Sequence, residues 1–212
     1  FFLAKEELLN GAEWFSTKEK QFVLFLLLNF SIKKAFQGKS RFTKDGLELF
    51  KYGLENDLLI WDGIMTNLTF TNIVTIACQE KDFEWADKFI ADHQKFLDQN
   101  IGKDATIFSM AYLAFFREDF STSIDLINNY RFMRHVDVCR GDFLLMRNYF
   151  EFSIIDSSYF KKFVDFSNSW EKKLKRDDIL SKDKKESYLN SINIIRKMGK
   201  AKNKNKVNRT KL

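Results

Sequence analysis

His135 and Cys139 are the two side chains in this sequence whose types and spacing come nearest to a metal site. Four apart on a helix, an imidazole and a thiol share one face, and both ligate zinc-class ions. Asp137 lies between them. A closed structural zinc centre takes four ligands, and no second His/Cys pair stands nearby in sequence. The expectation is therefore a buried cysteine and an interfacial histidine, with no metal and no cofactor. His93 sits on a predicted helix without a neighbour of matching chemistry. Asp156, Asp177 and Asp178 read as turn and cap residues, whereas general acid–base catalysis needs two carboxylates held in different environments within a pocket. No phosphate-cradling Gly-rich loop, zincin pair or Cys-x-x-Cys occurs. No enzymatic activity is expected.

The segment 128–150 interleaves Arg131, Arg134, Arg140 and Arg147 with aromatic residues, a composition that suits nucleic acid. Charge points to the same alternative from another place. Eight basic residues and no acid lie between Arg196 and Leu212, which leaves 27 basic against 29 acidic side chains in residues 1–195. The net +6 thus belongs to the C-terminal end, and the body is near neutral. A nucleic-acid-binding helical protein, using this basic tail and segment 128–150, is the alternative reading of function.

Any of these groups would be held by helices. The chain has no proline and 8 glycines in 212 residues, too few for the turns of an all-β or α/β fold, and its 45% hydrophobic content is enough for a core. Two cysteines make no disulfide framework, which suits a reducing, cytoplasmic setting. The apolar run from Phe22 to Ile32 is 11 residues long, short of the roughly 20 a membrane-spanning helix requires. Ser16 and Glu19 form a capping-box pattern, so the run is expected to be a helix buried on most sides, with no membrane insertion.

Periodicity and polar breaks predict helix pairs near 16–56, 66–97, 105–130 and 136–174, a capping helix over 187–198, and a basic, disordered tail over 199–212. Two segments recur. EKDFEWADKFI from Glu80 and REDFSTSIDLI from Arg117 place Phe83 and Phe120 37 positions apart, each followed three residues on by a small residue (Ala86, Ser123) and four further by isoleucine (Ile90, Ile127). A period of 37 to about 40 residues is the mark of stacked helix–turn–helix units.

These positions resemble the tetratricopeptide repeat, whose second helix opens on an aromatic, with Ala three on. First-helix positions correspond too: Phe70, Val74 and Ala77, then Ile107, Ala111 and Ala114. Val74 stands where the family prefers Gly. Over about 42–198, and most clearly in LTFTNIV from Leu68 with FEWADKFI from Phe83, the chain also resembles a group of Bacteroidetes-type bacterial proteins with degenerate repeats of this kind. The resemblance implies an all-α fold, an α-solenoid of antiparallel helix pairs in a right-handed superhelix, and a scaffold or adaptor rather than an enzyme.

In that architecture the first helices line a concave groove. Thr71, Thr75 and Gln79, then Phe108, Tyr112 and Phe116, then Arg147 and Glu151 are the expected partner-binding residues, facing an extended peptide or a helix. The opening FFLAKEELL reads as the middle of a helix, so upstream repeats are expected, with Phe1, Phe2 and Leu3 on an exposed edge through which the chain self-associates.

Overall fold

The computed structural model describes residues 1–10 and 14–209, with side chains through residue 202. Among these the chain is all-helical, and the only β-type pairing is a single bridge between Trp61 and Ile64. No helix among the described residues is long and apolar enough to cross a membrane. The chain divides into two compact units, Phe1–Arg117 and Glu118–Leu212.

The first unit holds α1 (Phe2–Leu9), α2 (Thr17–Phe36), α3 (Arg41–Glu55), α4 (Asn67–Gln79), α5 (Phe83–His93), a 3-10 turn at Gln94–Phe96, and α6 (Gly102–Phe116). The expected capping box starts α2. The Ser16 backbone N–H donates to Glu19 at 2.8 Å, and the Glu19 N–H donates back to Ser16 Oγ at 3.4 Å. α2 packs on α3, which approaches closely at Gly53; a Cβ there would lie 2.7 Å from Leu24 Cδ2. α4 is the central helix, packed against α3, α5 and α6, and it buries Phe70 and every residue from Ile73 to Cys78. Phe70 is fully buried, with its ring 5.0 Å from that of Phe89 on α5.

The second unit holds α7 (Phe120–Asn128), α8 (His135–Ile155), α9 (Tyr159–Arg176) and α10 (Lys182–Arg209). α8 packs on α7, α9 and α10. The expected pairs 16–56, 66–97 and 136–174 correspond to α2/α3, α4/α5 and α8/α9. The expected pair 105–130 is divided, because α6 packs with α4 and α5 while α7 packs with α8. Tyr188, Ile192, Ile195 and the buried Gly199 make the inner face of α10, while Met198 is exposed. The expected tail differs as well. α10 continues to Arg209, since Lys and Ala favour helix and no proline interrupts them. Residues 210–212 lie outside the described residues.

The recurrent segments share more than side chains. Lys81 and Glu118, also 37 apart, both have φ 62°, and the next residues match as well: Asp82 at φ −85°, ψ 63° and Asp119 at φ −83°, ψ 69°. Ala86 and Ser123 are both fully buried. The serine has its own reason, because Ser123 Oγ accepts a hydrogen bond from Asn148 Nδ2 on α8 at 2.8 Å.

A left-handed backbone at Lys81 and Glu118 follows helix ends where glycine is the unstrained choice. Lys81→Gly and Glu118→Gly are each expected to raise unfolding stability by ~0.5–1 kcal/mol. Urea denaturation of the single variants checks this; a loss at both positions would contradict the strain.

Candidate functional site

Burial corrects part of the expected groove. Thr71 and Thr75 are buried, and their hydroxyls donate to α4's own carbonyls, to Leu68 O at 3.2 Å and Thr71 O at 2.7 Å. α4 packs against three neighbouring helices, and both threonines lie within that packing. Phe108 is buried as well. Gln79, Tyr112, Phe116, Arg147 and Glu151 are half-buried. Tyr112 lies 5.8 Å from Phe108 and 4.9 Å from Phe116, ring to ring, and both Tyr112 and Phe116 pack on the core of the first unit. Arg147 lies over the Phe143 ring at 5.9 Å and belongs, with Glu151, to the second unit.

Among the described residues of the first unit, α2 carries a row of exposed large apolar side chains. That helix buries Leu24, Leu27, Leu28 and Ser31, while Phe22, Phe25, Leu26 and Phe36 on the other side keep more than half of their surface. α2 is therefore buried on one face, not on most sides. Phe30 belongs to the same exposed row and stacks on Phe1 at 5.2 Å. The spacing 18, 22, 25/26, 29/30, 33, 36 is one helical stripe. Exposed Lys18 and Lys33 stand towards its two ends. Phe2 and Leu3 are exposed, whereas Phe1, expected on the same exposed edge, is half-buried and packs on the core of the first unit.

A second cluster lies in the second unit. His135 and Cys139 share a face of α8's first turns, with Nε2 and Sγ 3.7 Å apart. Asp177, at the C-cap of α9, brings Oδ2 to 2.7 Å from His135 Nε2. The ligand atoms of all three residues lie within 4.8 Å of one another. Asp177 Oδ1 accepts the backbone N–H groups of Ile179 at 3.0 Å and Leu180 at 2.8 Å, which fixes the carboxylate's orientation. Burial acts to raise the Asp177 pKa, but those two N–H groups and His135 outweigh it and hold the carboxyl below its usual range. Burial, with the Asp177 and Asp142 carboxylates nearby, pushes the Cys139 thiol up to about 11. Beside the cluster, His135 and Asp177 help to line an open cleft of about 580 Å³, whose walls carry Lys172, Lys173 and Arg176.

Asp137, the acid between His135 and Cys139 in sequence, takes no part in the cluster. It is buried against Arg134 at 2.6 Å and Arg140 at 3.5 Å, so these two arginines of segment 128–150 face a carboxylate. His93 stacks on Phe89 at 4.7 Å, and its Nδ1 lies 3.2 Å from Phe89 O.

Sequence reasoning missed both the exposed face of α2 and the third member of the His/Cys cluster. A signal for the latter existed. His135 lies as far before the Ser157 turn as residue 179 lies after it, so an antiparallel pair returns the chain to it near Asp177.

No protein-family model matches this chain, and no curated protein or solved structure matches it significantly.

Proposed function

We propose that this chain is a protein–protein interaction module, a tetratricopeptide-like helical-repeat scaffold working in the cytoplasm. Its partner is an amphipathic helix with acidic flanks, docked along the exposed stripe of α2. The observation that carries the reading is the row Phe22, Phe25, Leu26, Phe30 and Phe36, because exposed apolar patches rimmed by charge mark binding surfaces. From Phe22 to Phe36 the stripe runs ~21 Å, about the length of a four-turn helix. Lys18 and Lys33 towards its ends set the sign of the partner's flanks. A second copy of α2 would place lysine near lysine in an antiparallel pairing, which favours a foreign helix over the chain itself. The repeat character draws support from the matched turns at Lys81-Asp82 and Glu118-Asp119. Two buried free cysteines support the compartment.

Synthetic amphipathic helices of equal apolar face, with Glu or Lys flanks, test this by fluorescence anisotropy. Glu-flanked peptides are expected to bind at least ~10-fold more tightly, a difference of ~1.4 kcal/mol. Phe25→Asp should abolish that binding while the far-UV spectrum stays unchanged. Binding indifferent to flank charge, or to Phe25→Asp, would overturn the reading. A concentration-dependent dimer in sedimentation, lost on Phe25→Asp, would assign the stripe to self-association.

A further inference from the structure

We propose that His135, Cys139 and Asp177 bind a zinc-class divalent ion that ties the first turns of α8 to the end of α9. Imidazole, thiolate and carboxylate together form a donor set for zinc and its first-row neighbours, whereas magnesium and calcium take oxygen alone. Cys139 Sγ and His135 Nε2 already stand 3.7 Å apart. Tetrahedral zinc bonds of ~2.3 Å to sulfur and ~2.0 Å to nitrogen put two such ligands ~3.5 Å from each other. The His135–Asp177 separation of 2.7 Å must open by only about half an ångström to admit the ion, from the same bond lengths.

The surroundings fit an ion as well. A thiolate and a carboxylate neutralise a divalent charge, so the occupied site carries no net charge into the protein. Cys139 is buried, while His135 is part-exposed and shares the cleft with Asp177, which gives the ion a path from solvent. The N–H groups of Ile179 and Leu180 on Asp177 Oδ1 leave Oδ2 for the metal, and ligating carboxylates are usually held by such hydrogen bonds. Three protein ligands leave a fourth position, towards the cleft, for water or for an anion drawn by Lys172 and Arg176.

The test uses the untagged full chain, stripped with a chelator and titrated with Co²⁺ and then Zn²⁺. One Co²⁺ per chain is expected, with a thiolate-to-cobalt charge-transfer band that Zn²⁺ removes by displacement. Cys139→Ser should abolish the band. His135→Gln and Asp177→Asn should each weaken Co²⁺ binding by more than the ~10–100-fold produced by changing a residue that only hydrogen-bonds to a ligand. Cys78→Ala should leave the band intact, since that buried thiol lies in the other unit. Zn²⁺ should raise the melting temperature of the parent chain and not that of Cys139→Ser. Absence of a charge-transfer band in the parent chain overturns the proposal whatever the variants do. So does a band that survives Cys139→Ser.

Discussion

Phe70→Ala is expected to lower the stability of the first unit by ~3–5 kcal/mol, the largest effect of any single truncation there. Phe70 has no exposed surface, stands on the helix that α3, α5 and α6 surround, and meets the Phe89 ring at 5.0 Å. Removing it deletes both the transfer free energy of a phenyl ring and the contacts of every neighbour left around the cavity. A domain has only ~5–15 kcal/mol in reserve, so such a loss takes a large share of it. Phe25→Ala is the control, because that ring is 60% exposed on α2. Its truncation should stay within ~0.5 kcal/mol. Urea titrations followed by circular dichroism measure both. Equal losses for the two variants would mean that the division of α2 and α4 into outer and inner helices is wrong.

That division was only half legible. α4 announces its burial through Phe70, Ile73, Val74 and Ala77, since residues spaced three and four apart stack on one side of a helix. α2 gives a different message. Its apolar run covers both sides, with Leu24, Leu27 and Leu28 on one and Phe22, Phe25 and Leu26 on the other. A helix apolar all round usually lies inside a protein, and that physics suggested burial here. What leaves one side open is the position of α2 at the edge of its unit, packed on α1 and α3. Sequence does not record how many neighbours an element finds. The helix starts are a contrasting case. Ser16 with Glu19 could be read from spacing alone, and Thr66 with Thr69 and Asp119 with Thr122 are likewise local hydrogen bonds between residues three apart.

The same distinction governs the polar clusters. His135 and Cys139 are neighbours by helical geometry, so their pairing could be read directly. Asp177 joins them from 42 positions away, and only the antiparallel return of α9 brings it there. Thr71 and Thr75 failed as groove residues for a related reason. Threonine can satisfy its hydroxyl on its own helix's carbonyls, so its polarity is weak evidence of exposure.

Asp137→Ala is expected to cost about 2–4 kcal/mol and to loosen the start of α8. The carboxylate is buried, accepts from Arg134 at 2.6 Å, and lies 3.5 Å from Arg140. Removing it takes a carboxylate away from the Arg140 guanidinium, whose pKa burial already pushes down. Asp137 also stands in the first turn of α8, where a negative charge offsets the helix dipole, a further ~0.3–1 kcal/mol. The partial exposure of both arginines keeps the figure below that of a fully enclosed pair. Asp137→Leu combined with Arg140→Met should recover most of the loss, because apolar side chains of similar volume need no counter-charge. Urea titrations of the single and double variants test this. A single variant within ~0.5 kcal/mol of the parent chain would show that water replaces the carboxylate at no cost. A double variant as unstable as the single one would show that the loss does not come from the Asp137–Arg140 ion pair.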